Sequence, residues 1–449
     1  MKLYNTLSAK IEELKPIENK KIRIYTCGPT VYDTAHIGNL RKYLCDDILV
    51  RLLKFEGFEV KRAMNMTDID DKTIKRSEGV KKDFDVLIRK YEDQFLLDLD
   101  SLNILKPDMV MRATEYIEDM VAFVEDLLKK GFAYKTADGS VYFSLEKFPT
   151  YGELSKLDKR EIKVGARINS DEYSKENPSD FVLWKSWDKE DGEIFWETSL
   201  GKGRPGWHLE CSTMSMKEFG ESIDIHTGGV DNIFPHHENE IAQSEARSGK
   251  KFVNFWIHSE MLMVDSRKMS KSLHNFYKLA DIIEKGFSPY DFRYLVVSAQ
   301  YRSKLNFTWE GLESAKNSRT RLVRLVQEFA KADKGEIDEQ YLEKFKGFLE
   351  NDIDLPNAIA VLWEVARDEN VSAGSKYATM RKFDEVLGLK LGDNIAIEIP
   401  TDILDLANER KAARENKDYA KSDELRDEIA TLGYLVEDLS NNEYKITEK

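Results

Sequence analysis

The stretch from residue 21 to residue 53 constrains the fold more than any other. Lys21-Ile22-Arg23-Ile24-Tyr25-Thr26 alternates and is rich in β-branched residues, so it reads as a strand ending at Cys27. Gly28-Pro29-Thr30 turns the chain. After His36-Ile37-Gly38-Asn39, residues 40–53 carry a helical apolar period. Strand, glycine-containing loop and helix make a nucleotide-binding arrangement, with phosphates received at the helix N-terminus. Neither a G-x-G-x-x-G nor a Walker A pattern occurs, so dinucleotide and P-loop chemistry are not supported. A second strand over residues 58–66 brings Thr67-Asp68-Ile69-Asp70-Asp71-Lys72 to its carboxyl end, where open α/β sheets keep their ligands.

A second stretch, residues 226–243, carries metal chemistry. In Pro235-His236-His237-Glu238-Asn239-Glu240, proline suits the first turn of a helix, where its missing N–H has no intrahelical partner. A helix starting there sets His236 and Glu240 one turn apart on one face. An imidazole and a carboxylate make half of a tetrahedral site, and two thiolates would complete it. The chain has three cysteines. Cys45 lies inside the amphipathic helix as a small core residue. Cys27 and Cys211 lie in polar or glycine-containing segments that read as loops, Thr26-Cys27-Gly28-Pro29 and Leu209-Glu210-Cys211-Ser212-Thr213. The sharper reading is a zinc site of Cys27, Cys211, His236 and Glu240. The plainer one is a capped surface helix with a solvated His/Glu face. All seven histidines precede residue 275, so titratable and metal-binding chemistry is confined to that part of the chain.

The 449 residues suffice for two to four domains. A composition of 41% hydrophobic and 33% charged residues reads as soluble and globular. No apolar run reaches the roughly 18 residues that cross a bilayer, and the first residues lack the apolar core of a secretory signal. A cytoplasmic protein with no membrane contact is expected, and so few cysteines fit a reducing compartment. The net charge of −14 argues against indiscriminate nucleic-acid coating, although a local basic face is compatible with it. Residues 84–130 read as helical. Residues 131 to about 200 read as an insertion of short strands, and Gly203-Arg204-Pro205-Gly206-Trp207-His208 marks the return. Strands follow at 223–226 and 252–258, then Lys268-Met269-Ser270-Lys271-Ser272. From Pro289 the pattern is helical, with Trp309, Leu312, Leu322, Leu325 and Phe329 on apolar stripes. Residues 393–400 read as a linker before a charged helix pair.

His36-Ile37-Gly38-Asn39 followed far downstream by Lys268–Ser272 resembles the signature pair of class I aminoacyl-tRNA synthetases. Residues 25–33, 65–72, 203–211 and 226–243 resemble the cysteinyl-tRNA synthetase family specifically, and residues 409–438 resemble its anticodon-binding segment. The likeness spans essentially the whole chain. One departure is Asn39, where the family usually has a second histidine; an asparagine amide can still donate to a phosphate oxygen.

The resemblance implies an α/β protein: a Rossmann-like class I catalytic domain with a parallel sheet and an inserted domain, followed by an all-α C-terminal region. The expected divisions are 1–120 and 203–285 for the two catalytic halves, 121–202 for the insertion, 286–400 for a stem-contact helical bundle and 401–449 for anticodon binding. It further implies activation of cysteine by ATP with Mg2+, then transfer to the 3′ end of tRNA(Cys), by a monomer carrying one zinc. His36, Asn39, Lys268 and Lys271 would hold phosphates, with Gly38 letting the nucleotide lie against the backbone. Thr67, Trp207, His226 and Asp231 would contact the amino acid, and Cys27, Cys211, His236 and Glu240 would hold the zinc that reads its thiolate. His208, His237 and His258 read as structural groups around that site. Arg410, Lys411, Arg414, Lys417 and Arg426 would meet tRNA phosphates. Two other functions share parts of this pattern. A cysteine ligase of mycothiol synthesis would lack the extended tail. A non-catalytic zinc- or RNA-binding paralogue, with Asn39 as its symptom, would not need the lysine motif and all four ligands.

Overall fold

The computed structural model describes residues 1–157, 180–269, 275–392, 401–438 and 443–448. The chain divides into two compact units, Met1–Gly392 and Asp393–Lys449.

The first unit is built on five parallel strands: β1 (Lys21–Thr26), β2 (Glu59–Met66), β3 (Met109–Arg112), β4 (Ile223–Gly229) and β5 (Val253–Ser259). Their spatial order is β5-β4-β1-β2-β3. This is the doubly wound order, in which the chain leaves β1 in opposite directions and a crevice opens between the carboxyl ends of β1 and β4. Helix α1 (Ile37–Phe55) crosses from β1 to β2. Helices α2 (Trp207–Phe219) and α3 (Glu238–Ser248) flank β4 in sequence. β4 is buried along nearly its whole length, as expected of a parallel strand covered on both faces. The Cys27 amide donates to the Thr227 carbonyl at 3.0 Å, which locks the end of β1 to the end of β4.

Residues 84–130 are not one helical stretch. Helices Lys81–Ser101 and Ile117–Lys129 are separated by β3. The first helix ends at Ser101, where Asn103 takes a left-handed φ of 54°. Asp108 then pairs with Arg62, accepting from its amide at 2.7 Å and donating its own N–H to the Arg62 carbonyl at 2.9 Å, which sets β3 in register. Between β3 and β4 in sequence lies a second, antiparallel sheet of five short strands, running in space Ala133–Lys135, Val141–Phe143, Phe181–Ser186, Gly201–Pro205, Trp196–Thr198. Its strand Gly201–Pro205 runs straight into α2. Downstream, helices Pro289–Val297, Trp309–Phe329, Glu339–Leu349, Leu355–Arg367 and Ala373–Leu387 pack their apolar stripes together, with Leu312 and Leu322 fully buried.

In the second unit, helices Thr401–Glu415 and Tyr419–Thr431 are followed by a hairpin of Tyr434–Asp438 and Tyr444–Glu448, which helical periodicity alone does not announce. Ile403, Ala407, Ile429, Val436 and Ile446 form its core. Arg410 departs from its expected role at a phosphate. It is buried and grips Asp438 with both guanidinium nitrogens, at 2.7 and 3.0 Å, so its charge is spent holding the hairpin to the helix.

Candidate functional site

The crevice between β1 and β4 gathers the residues singled out in the sequence. Cys27 follows the last residue of β1. Cys211 lies in the second turn of α2 and not in a loop. The polar residues around it, Glu210, Ser212, Thr213 and Ser215, mask the helical period because they too are buried, facing other chain segments and not solvent. After β4 the chain makes a short 3-10 turn, Val230–Asn232, kinks at Phe234, which is extended at φ −134° and ψ 131°, and is helical from Pro235 into α3. His236 and Glu240 therefore do stand one turn apart, with Nε2 and Oε1 separated by 3.0 Å.

The ligand atoms of Cys211, His236 and Glu240 all lie within 4.8 Å of one another, as do those of Cys27, His236 and His237. Cys211, His236 and Glu240 have no exposed surface, so the solvated-face reading does not hold. His236 Nε2 and Glu240 Oε1 are buried and, though 3.0 Å apart, are not aligned for a hydrogen bond and have no other hydrogen-bond partner among the described residues, a costly arrangement unless something binds there. His208 Nδ1 lies 3.0 Å from His236 Nδ1, which turns Nε2 of His236 toward the two cysteines. His226 Nε2 contacts the other Glu240 oxygen at 2.9 Å.

The electrostatics suit anionic donors. A hydrogen bond from Cys211, with help from His236, holds the Cys27 thiol well below its usual range against the cost of burial. Burial, and then the neighbouring Cys27, push the Cys211 thiol well above. The two thiols therefore titrate as a coupled pair in which Cys27 is the more readily ionised. Burial would raise Glu240, but His226 and His236 outweigh it and hold the carboxyl at about 2. The sets Cys211–His236–Glu240 and Cys27–His236–His237 share the His236 imidazole, and between them they offer two sulfurs, an imidazole and a carboxylate, a donor chemistry that suits a tetrahedral zinc.

The surrounding histidines form a ring-packed floor. His226 stacks on Trp256, with ring centroids 4.7 Å apart. His237 Nδ1 meets His258 Nε2 at 2.8 Å, and His258 Nδ1 meets the Thr6 hydroxyl at 2.7 Å. Trp207, 37% exposed, stacks on the His236 ring at 4.2 Å and so forms a wall between the donors and solvent. Thr67 is buried at the end of β2. Asp231 lies exposed on the turn after β4.

The two signature segments meet at the mouth of the crevice. His36 caps α1: its Nδ1 accepts the Asn39 amide, and the Asn39 side-chain oxygen accepts the His36 amide, each at 3.2 Å. Asn39 thus serves the helix cap reciprocally. A Cβ on Gly38 would stand 2.6 Å from the end of Met269 and 2.9 Å from the His36 ring, so a larger residue there would have to displace both side chains where the segments cross. The Ile37 amide donates to the Tyr277 carbonyl at 2.9 Å, fastening α1 to the chain beyond the lysine loop. Lys268 is exposed at the end of a short strand, Arg267–Lys268. Lys271, with Ser270, Ser272 and His274, lies outside the described residues.

Sequence reasoning missed Asn65 and Glu210. Gly28 N–H donates to Asn65 Oδ1 at 2.6 Å, Asn65 Nδ2 to Thr67 Oγ1 at 3.1 Å, and Thr67 Oγ1 to Glu210 Oε2 at 2.6 Å. Burial pushes the Glu210 carboxyl well above the usual range. The available signal was an acidic residue beside a candidate ligand, in a segment whose neighbours are uncharged.

Comparison with known proteins agrees with this geometry. The family "tRNA synthetases class I (C) catalytic domain" matches residues 13–317, and the family "Cysteinyl-tRNA ligase anticodon binding domain" matches residues 398–444. The chain is 46% identical to the cysteine–tRNA ligase of Protochlamydia amoebophila, covering 98% of this chain and 96% of that one. It is also 46% identical to that of Chlamydia pneumoniae, covering 97% and 96%. Among solved structures, methionyl-tRNA synthetase of Mycobacterium tuberculosis in complex with methionyl-adenylate is similar in fold, with a TM-score of 0.58 at 14% identity over 82% of this chain and 90% of that one. The ternary LeuRS–tRNA–LeuAMS complex of Agrobacterium radiobacter gives a TM-score of 0.59 at 10% identity over 85% and 86%.

Proposed function

The chain belongs to the cysteine–tRNA ligases, a family of class I aminoacyl-tRNA synthetases, and from that premise we propose how its residues divide the work. In the first step a cysteine carboxylate oxygen attacks the α-phosphorus of ATP, and the bond to pyrophosphate breaks. In the second, a hydroxyl of the terminal adenosine of tRNA(Cys) attacks the carbonyl carbon of the adenylate and AMP leaves. Neither step needs a covalent enzyme intermediate, so the rate comes from positioning and electrostatics.

His36 at the α1 N-terminus offers its ring to phosphate oxygens, where the helix dipole also favours negative charge. Asn39 keeps that ring oriented through the cap and presents its amide N–H2. Gly38 leaves room for the nucleotide. Lys268 and Lys271 meet the departing pyrophosphate, with Mg2+ accompanying the triphosphate. Trp207 and His226 wall the amino-acid pocket, Thr67 and Asp231 contact the amino acid, and residues 401–449 hold the tRNA. Zinc held by Cys27, Cys211, His236 and Glu240 would supply a sulfur-seeking Lewis acid that favours an ionised thiol over the hydroxyl of serine. An apolar pocket alone separates such near-isosteres poorly.

The observation that supports this reading is two buried donor groups that share His236, Cys211–His236–Glu240 and Cys27–His236–His237, at the crevice where the two signature segments meet. Cysteine-dependent ATP–pyrophosphate exchange tests it, run with serine as competitor and with zinc measured by elemental analysis. The expected outcome is about one zinc per chain, exchange with cysteine and little with serine, and loss of most zinc in Cys211→Ser. Full zinc retention in both Cys27→Ala and Cys211→Ser would refute the site.

A further inference from the structure

We propose that Phe276 is a positioning residue for adenylate formation: its ring holds the His36 imidazole in the orientation from which it meets the triphosphate. This rests on the reading of His36 as a phosphate contact.

The helix cap fixes one atom of the His36 ring. Nδ1 accepts from the Asn39 backbone N–H at 3.2 Å, and a backbone N–H can only donate, so that nitrogen keeps its lone pair for the cap. A phosphate oxygen, which accepts, therefore meets the ring through Nε2–H. One hydrogen bond sets the place of Nδ1 but not the tilt of the ring, because the terminal torsion of a histidine is broad. A second contact has to set it. The Phe276 ring supplies that contact, with centroids 4.8 Å apart and planes at 73°, the edge-to-face arrangement that aromatic rings favour.

The backbone dictates that Phe276 faces His36. The Ile37 N–H donates to the Tyr277 carbonyl at 2.9 Å, and His36 and Lys278 form an antiparallel bridge. Successive side chains of an extended segment point to opposite sides. Tyr277 packs into the core, edge-on to Trp309 at 5.0 Å and 5.9 Å from Phe307. Phe276, half-buried, is thereby turned the other way, to the mouth of the crevice. The preceding residue is fastened too, because buried Asn275 donates to the Lys268 carbonyl at 3.2 Å. Phe276 follows the lysine motif in sequence, whereas the ring it holds belongs to the N-terminal motif, so a single contact makes the placement of one signature depend on the other. A phenyl ring offers no hydrogen bond to a phosphate, and Phe276 acts on the reaction through His36.

The test is a double-mutant cycle on full-length protein, read as the single-turnover rate of cysteinyl-adenylate formation at saturating ATP and cysteine. Phe276→Leu keeps the apolar bulk and removes the ring, Phe276→Met repeats this with an unbranched side chain, and Phe276→Tyr keeps the ring. The Leu and Met variants should form adenylate about fivefold more slowly, the scale of one edge-to-face aromatic pair, because the ring of His36 then spends less time in its productive orientation. The KM for cysteine should stay within about twofold, and Phe276→Tyr should return the rate to within about twofold of wild type. In a His36→Ala background, Phe276→Leu should slow the reaction by no more than about 1.5-fold further, since two residues acting as one unit do not add. A fivefold loss that persists without His36, or wild-type rates in both the Leu and Met variants, would overturn the assignment. A His36→Ala protein as fast as wild type would instead refute the reading of His36 as a phosphate contact.

Discussion

A single methyl group tests the crevice. A Cβ on Gly28 would lie 1.7 Å from the Asn65 carbonyl oxygen, and that oxygen belongs to backbone in the strand next to β1 and cannot step aside. Gly28→Ala should therefore cost about 3 kcal/mol or more, among the larger single-residue effects. Gly57 is the control: its φ is +82°, nothing lies within 4 Å of an added Cβ, and Gly57→Ala should cost only about 1–2 kcal/mol of backbone strain. Urea unfolding midpoints of the two variants compare the costs, and similar shifts would mean that the close approach at Gly28 relaxes. At this scale the candidate donors were legible because their residue types are scarce: three cysteines and seven histidines leave few ways to build a sulfur–nitrogen site. Glu210 and Asn65 were not. Acidic and amide side chains are abundant, and only the folded chain reveals that these two are buried and joined through Thr67.

Helix α1 shows what an element hides. Its apolar period was readable, yet it also buries Arg41, Lys42, Asp46 and Asp47. Lys42 and Asp46 pair with each other at 3.0 Å, but Arg41 and Asp47 also find partners far along the chain. Arg41 donates to the Glu260 and Met261 carbonyls at 2.8 and 2.6 Å. Asp47 accepts from Arg293 at 2.6 Å, from Arg51 at 2.8 Å and from the Leu105 amide at 2.8 Å. Arg293 is itself fully buried, in helix Pro289–Val297. Polar residues with partners more than 50 positions away leave no periodic trace, and the four-residue strand β3 was lost for a related reason, being too short to alternate visibly. Removing one member of the pair strands a buried charge, so Asp47→Asn should destabilise the first unit by about 3–5 kcal/mol. The effect has a pH signature. Burial raises the Asp47 carboxyl, but Arg293, Arg51 and the Leu105 amide outweigh it and hold it below the usual carboxylate range. A depressed carboxyl contributes its full stability above the ordinary carboxylate range and loses it as pH falls through the depressed value. The gap between wild type and Asp47→Asn should therefore close in acid. Chemical unfolding of both proteins from neutral pH downward measures this, and a gap that widens in acid would contradict it.

For the whole molecule, the prediction concerns the division between its two units. The crevice, its candidate metal donors and the described parts of both signature segments lie within Met1–Gly392. The second unit has its own small core, and the family match over residues 398–444 is to an anticodon-binding domain. Deleting residues 393–449 should leave cysteine-dependent pyrophosphate exchange largely intact while aminoacylation of tRNA collapses. The physical reason is effective concentration: docking through one unit makes arrival of the acceptor end at the other intramolecular, and losing that anchor returns the reaction to free encounter. The buried Arg410–Asp438 pair also narrows which charges can touch RNA. Arg410 is committed to the fold, whereas Lys411, half-buried, and Lys417, exposed, lie outside any described ion pair with an acidic side chain. If these two lysines neutralise phosphates, tRNA affinity should fall with rising salt despite the net charge of −14, and the double variant Lys411→Ala/Lys417→Ala should flatten the log–log salt slope by roughly 1–2. Arg410→Ala should instead unfold the hairpin, visible by circular dichroism, before it affects any phosphate. Matched exchange and charging assays on full-length and truncated protein decide the first point, and filter binding across a salt series decides the second. A folded, truncated enzyme that charges tRNA at the full-length rate would leave the second unit without this role, and an unchanged salt slope in the double variant would move the phosphate contacts to other residues.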